Sequence, residues 1–416
     1  MNEDGVKGDL SPDNSMWKGF YFFLAFVILA GFAIQVTSTL PGIEQHSENS
    51  PLTQELGLAF IGNEIVDIEY FESNWTYSHI GLIEDSDDNR ILYTQTSPGT
   101  DGVMIISSPS TSGLNSDQIP EILESKENVF WISDGVGSLT AVTIGETYTS
   151  VTFEGELGNS SFEDISVANG DENHMLMLTR TGSSSNIWGS NSVGVIKVEN
   201  DRSGVTWGDA TQLSSNKWLV SGISTPAFSE NGNSPATPTQ RGVIGLVTFG
   251  GQSEGIDFEI LETSDTTIHT LQSLDSGAIA ASEDMFWHFE SEDDYSVEEI
   301  NSATAMVDSD QRVWFFYEGG FEFLQRYDTT TGEIEVLELA KNFEIFPASS
   351  SSTDTHIFVH GADSFGADSF ISVDLTYPKS LQSGRGFLNW AFLMVGTSML
   401  VILGMYTLRG ISGEEF

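Results

Sequence analysis

Seven compact apolar runs, each preceded by a polar turn, recur along the middle of this 416-residue chain. They are Arg90–Gln95, Val129–Ser133, His174–Leu178, Lys217–Ser221, Ala278–Ser282, Arg312–Tyr317 and Thr355–His360. Their spacing averages about 44 residues, the length of a small supersecondary unit repeated in tandem. One interval is longer, and it contains Ser224–Gln240, a stretch with three prolines and little apolar character that reads as a loop insertion. The run Val313–Tyr317 sets the sharpest demand. Its five residues are all large and apolar or aromatic, whereas a strand with one wet face alternates.

A strand covered on both faces satisfies that demand. Repeats of this length, each with several short strands between turn clusters, predict an all-β fold, a seven-bladed β-propeller in which every sheet stands between two others. Val313, Phe315 and Tyr317 are then expected to pack on one neighbour, and Trp314 and Phe316 on the other. The seventh unit ends soon after Val373–Leu375. Leu58–Glu69 is expected to supply its missing outer strand and close the ring.

Two stretches resemble known propeller families. Thr304–Leu339 (TAMVDSDQRVWFFYEGGFEFLQRYDTTTGEIEVLEL) is similar to one blade of two-component-sensor propeller domains and streptogramin-lyase-like proteins. In Val195–Ser214, Asp201, Gly204, Thr206 and Trp207 are similar to the Asp-box hairpin of sialidase-like propellers. This copy lacks the leading Ser and has one extra residue between the Asp and the Gly. The resemblances imply the fold. They transfer no catalytic residue, since propellers host binding and catalysis alike.

Charge and membrane signals place the repeats. With 61 acidic against 15 basic residues the net charge is −46, which excludes nucleic acid and anionic lipid headgroups as natural partners. Cysteine is absent, which removes disulfides, thiolate metal sites and thiol catalysis together. Uncharged apolar stretches predict transmembrane helices over 19–40 and 386–408, each long enough to cross a bilayer. Lys7 and Lys18 before the first span, and Arg409 after the second, predict cytoplasmic tails at 1–18 and 409–416. Linkers at 41–56 and 379–385 then flank a propeller over 57–378, which faces away from the cytoplasm at the plasma membrane.

Candidate sites are few. Asp85, Asp87 and Asn89 have the spacing of half a calcium loop, but Arg90 stands where glycine belongs and Thr96 where the closing glutamate belongs. Asp308 and Asp310 repeat that turn chemistry, which favours a β-turn over a structural calcium site. Arg90 and Arg312 read as equivalent structural positions. His356 and His360 share a strand face but lie too far apart for one metal, about 13 Å. His288 sits among Glu283, Asp284, Glu290 and Glu292, so its pKa is expected to rise. Asn74 and Asn159 head glycosylation sequons. The duplicated pentapeptide GADSFGADSF at 361–370 reads as an exposed hairpin. The arginine set of sialidases is not matched, and no catalytic residue, cofactor or metal ligand is identified. The expected function is recognition of a protein, glycan or small ligand. The alternatives are a lyase or hydrolase using acids of the central channel, and an accessory subunit of a membrane complex.

Overall fold

The computed structural model describes residues 43–47, 64–71, 78–84, 89–95, 103–110, 121–126, 129–133, 136–143, 149–169, 171–191, 194–198, 204–224, 240–249, 256–375, and 395, 396, 398 and 402. The chain divides into two units, Ile43–Leu375 and the flanking Met1–Gly42 with Thr376–Phe416. In the flanking unit no helix among the described residues is long and apolar enough to cross a membrane. The expected span 19–40 lies outside the described residues, and of 386–408 only Val395, Gly396, Ser398 and Ile402 are described, all helical.

The larger unit is built of antiparallel sheets. After β1 (Ile43–Ser47) come β2 (Glu64–Phe71), β3 (Ser78–Glu84), β4 (Asn89–Gln95) and β5 (Val103–Ser110), which form one four-stranded sheet. The second holds β6 (Glu121–Lys126), β7 (Val129–Ser133), β8 (Ser138–Thr143) and β9 (Thr149–Thr152). The third holds β10 (Ser161–Ala168), β11 (Asp171–Thr181), β12 (Ser184–Asn191) and β13 (Gly194–Val198). The fourth holds β14 (Val205–Ser214), β15 (Lys217–Ser224), β16 (Arg241–Phe249) and β17 (Ile256–Ser264). The fifth holds β18 (Ile268–Ser273), β19 (Ala278–Ser282), β20 (Met285–Phe289) and β21 (Tyr295–Glu299). The last sheet is seven-stranded: β22 (Thr304–Val307), β23 (Arg312–Phe316), β24 (Gly319–Asp328), β25 (Glu333–Ser352), β26 (His356–Ala362) and β27 (Asp368–Asp374), with β1 at its edge.

The first strand of each sheet lies beside the first strand of the next, from β2 through β6, β10, β14 and β18 to β22. Strand β25 lies beside both β22 and β2, which returns the path to its start. This is a β-propeller arrangement. β25 pairs with β24 over Glu333–Ile345 and with β26 over Phe346–Ser352, so one strand serves two successive groups of the seven-stranded sheet.

Apolar seams lie between the sheets. Trp131 and Leu139 of the second sheet pack with Ile165 and Met177 of the third. Leu176 and Ile187 of the third pack with Trp218 and Val247 of the fourth. Leu219 and Leu246 meet Leu271 and Trp287 of the fifth, and Ile279 and Phe286 meet Val313 and Phe315. Val313, Trp314, Phe315 and Phe316 are each at most 2% exposed, so both faces of β23 are covered. Tyr317 differs from expectation. It lies beyond the strand, meets Phe321 at a tilt and Phe323 edge-on, and donates its hydroxyl to Gln325 at 2.7 Å.

Four further expectations are corrected. Arg90–Gln95 is the third strand of its sheet, whereas five of the other apolar runs lie on second strands, β7, β11, β15, β19 and β23, and the sixth lies on β26 of the seven-stranded sheet. Middle strands on either side of a hairpin are equally covered, so an apolar run cannot tell them apart. Arg90 and Arg312, on a third and a second strand, are therefore not equivalent. Ring closure comes from β1, inside the expected linker, through Ile43↔Val373 to Ser47↔Ser369. Glu64–Phe71, within and beyond Leu58–Glu69, is instead the first strand of the next sheet. An edge strand needs little apolar character, which is why IEQHS was not legible as one. Finally, β13 and β14 belong to different sheets, so the Asp-box-like stretch is a connection between sheets and not a hairpin.

Candidate functional site

The innermost strands share a device. β2, β6, β10, β14 and β18 each slip register in their first half, and Asp67, Glu124, Asp164, Asp209 and Thr270 directly follow that slip; β10 and β14 slip a second time further on. On β25 the same slip precedes Ser349. A bulge re-aims the next side chain out of the normal alternation. At Glu124, Asp164, Asp209 and Thr270 it aims an acceptor at the neighbouring innermost strand, where no backbone ladder exists to satisfy the facing N–H groups.

The bonds follow the ring. The Val167 N–H donates to Glu124 Oε2 at 2.8 Å, and the Ala210 N–H to Asp164 Oδ2 at 2.7 Å. The Asp209 carboxyl accepts from the Leu271 N–H. At the next step Ala305 N–H donates to Thr270 Oγ1 at 3.1 Å, and Val307 N–H to Gln272 Oε1 at 3.0 Å. Thr304 and Ser350 join their hydroxyls at 3.2 Å.

One step is electrostatically unlike the rest. Asp164 is buried, Asp209 is partly exposed, and their carboxyls hydrogen-bond each other. Burial above all, then the charges of Asp209 and Glu124, push Asp164 well above the ordinary carboxylate range. Burial raises Asp209 to about 7, opposed by hydrogen bonds from Asp164 and from the Ala210 and Leu271 N–H groups. Two carboxyls in contact cannot both ionise cheaply, so Asp164 holds a proton and donates it toward Asp209. Such a pair can store or relay a proton.

The residues singled out from sequence do not converge here. Asp308 is buried in the turn before β23. Its Oδ1 accepts from the Asp310 and Arg312 N–H groups, both at 2.9 Å, and its Oδ2 from Arg312 Nε at 2.9 Å and Trp314 Nε1 at 2.8 Å. Arg312 also reaches Asp310 at 2.9 Å. Arg326 stands over the Trp314 ring, 4.9 Å from its centroid. His288 is corrected. Burial lowers its pKa, with Glu290 opposing, and its Nδ1 meets the Tyr327 hydroxyl at 3.3 Å. Of the acids that flank it in sequence, Glu290 acts on it, while Glu292 pairs with Lys217. His356 stacks on Phe358, and His360 on Phe370.

Asn159 is exposed at the end of the 3-10 turn Leu157–Asn159, and its amide donates to the Gly155 carbonyl at 2.8 Å. Asn74, Asp201 and residues 85–88 lie outside the described residues. Gly204 has φ +113°, Thr206 is exposed, and Trp207 is fully buried against Phe258. Among the described residues no group of three His, Asp or Glu side chains is placed to hold a metal.

Sequence reasoning missed Glu124, Asp164 and Asp209, although a signal exists. The pattern apolar–x–acceptor appears as Ile65-Val66-Asp67, Ile122-Leu123-Glu124, Phe162-Glu163-Asp164, Trp207-Gly208-Asp209 and Ile268-His269-Thr270. It recurs with the units, one strand ahead of the apolar runs, and two ahead of Arg90–Gln95 in the first sheet.

No protein-family model matches the chain, and no curated protein matches it. Among solved structures it is similar to the Cps50 (Swd1) β-propeller domain of Myceliophteria thermophila, at 11% identity over 74% of this chain and 83% of that one, TM-score 0.34. It is also similar to Sqt1 of Saccharomyces cerevisiae, at 12% identity over 71% of this chain and 81% of that one, TM-score 0.41. Raptor of Chaetomium thermophilum matches at 8% identity over 81% of this chain and 29% of that one, TM-score 0.46. With every TM-score below 0.5, the propeller arrangement rests on strand order, and these likenesses add no function.

Proposed function

We propose that the chain is a membrane-anchored, seven-bladed propeller that serves as an extracytoplasmic binding module for a protein, glycan or small ligand. Seven innermost strands, β2, β6, β10, β14, β18, β22 and β25, support the blade count, with the seven-stranded sheet taken as two blades sharing β25. Because Ile43 pairs with Val373, the two ends of the ring leave side by side, as helices at 19–40 and 386–408 in one membrane require.

The observation that carries a binding role is the hairpin between β26 and β27. The Asp363 side chain accepts from the Phe365 and Ala367 N–H groups at 2.8 and 3.0 Å, and Gly366 takes φ +77°. This ordered turn holds Phe365 93% exposed. The second copy of the same pentapeptide places Phe370 in the core, 3% exposed. The hairpin lies at the end of the strands opposite Ile43 and Leu375. An aromatic anchor on a rigid turn suits recognition, because little entropy is lost when it docks. The inner-strand polar groups, by contrast, are occupied in joining the sheets.

A photo-crosslinking residue placed at 365, with one at 310 on the opposite end as control, tests this reading. Saturable adducts from 365 alone are expected; equal adducts from both positions overturn it. The Asp164–Asp209 pair favours a second reading, a propeller lyase or hydrolase. Turnover lost in Asp164→Asn with unfolding unchanged would select it.

A further inference from the structure

We infer that Asp164 and Asp209 form a proton-operated clasp between the third and fourth sheets, held shut by a shared proton and loosened when that proton leaves. The geometry is specific to this seam. The carboxyls bridge β10 and β14, and through Leu271 the contact reaches β18. While one proton remains, Asp164 donates to Asp209 and still accepts from the Ala210 N–H. Once it is gone, two anions face each other across the seam with Glu124 of β6 as a third charge nearby. Like charges in contact repel, and burial magnifies the repulsion.

The surrounding strands offer no compensation among the described residues. On β10 and β11, Glu163 and Arg180 pair with each other at 3.3 Å. Lys217 of β15 pairs with Glu292. His269 of β18 is bonded to Thr270 and Ser302, and burial disfavours its charge. His174 of β11 packs edge-on against Trp218 and Phe249. β7, β12 and β19 carry no charged residue.

The molecule contains its own control. The bonds from Ala305 to Thr270 and from Val307 to Gln272 join neighbouring innermost strands with neutral acceptors. Hydrogen–deuterium exchange of the full-length chain, corrected for the intrinsic effect of pH, is measured from about pH 6 to about pH 10. Protection at Ala210 and Leu271 is expected to fall at least about tenfold relative to Ala305 and Val307, the effect of one pK unit. In Asp164→Asn the amide keeps both bonds without a titrating proton, and protection at Ala210 and Leu271 should stay level. Parallel behaviour of the two seams in the unsubstituted chain overturns the proposal. So does an equal fall in Asp164→Asn. Should that variant not fold, the comparison within the unsubstituted chain decides alone.

Discussion

Asp308 and Asp164 are both buried carboxyl groups of one propeller, and they meet burial in opposite ways. Asp308 sits in a turn and receives two backbone N–H groups, a guanidinium and an indole N–H. Asp164 sits on an innermost strand and receives one backbone N–H and a second acid. A buried carboxylate is stable only where donors and a cation replace its lost hydration; a buried carboxyl beside another acid keeps its proton instead. The first arrangement fixes a hairpin. The second makes a joint sensitive to pH.

The largest expected effect breaks the first arrangement. Asp308→Ala leaves Arg312, with its side chain 18% exposed, facing only Asp310, and strands the Trp314 indole N–H. The cost is expected near 3 kcal/mol, the lower range for breaking a buried pair by removing one member. Denaturant unfolding measures it. A loss under about 0.5 kcal/mol, typical of an unexceptional surface change, would show that the turn does not depend on its acid.

The second effect titrates the second arrangement. Because the folded-state value of Asp209 is raised from 3.8 to about 7, the native chain binds more protons than the unfolded one across that window. Stability from this group is therefore full below 3.8 and is lost as pH rises through about 7. Asp164, also raised by its burial, contributes in the same sense. Asp209→Asn removes one proton from the balance and should flatten the decline by up to about 1.4 kcal/mol per pH unit inside the window. Melting curves across pH, taken on both chains, report the difference. Identical slopes would mean that Asp209 ionises as freely folded as unfolded.

These two acids also show what the sequence could and could not reveal. The turn at Asp308 is local: acid, arginine and tryptophan lie within seven residues, and the turn chemistry was readable. The pair Asp164–Asp209 is separated by 45 residues in sequence, and only the stacking of β10 beside β14 joins it. Sheet architecture was legible because a middle strand covered on both faces leaves a continuous apolar run. Strand identity within a sheet was not, since spacing groups Arg90–Gln95, a third strand, with runs that lie on second strands. The expected closing segment, Leu58–Glu69, differs from the observed one because β1 is an edge strand with few apolar residues. His288 departs from expectation because it is buried on β20 while the acids that flank it in sequence lie beyond the strand ends, and burial outweighs the charge of Glu290.

The smallest effect sharpens the comparison by removing a joint that carries no charge. Thr270→Val deletes the acceptor for the Ala305 N–H while keeping a β-branched side chain in the strand. The stranded donor should cost about 1–2 kcal/mol. From neutrality upward that cost should not change with pH, since Thr270 does not titrate and His269 beside it is already neutral. Toward acid the opposite sign enters: the lowered pKa of His269 makes stability fall as pH drops below 6.5. The decisive measurement is the difference in unfolding free energy between Thr270→Val and the unsubstituted chain, compared at neutral and alkaline pH. A constant difference leaves the acid seam as the one that responds to alkali. A difference that grows with pH would show that a neutral joint loosens too, and the contrast between the seams would then come from general acidic repulsion around the ring.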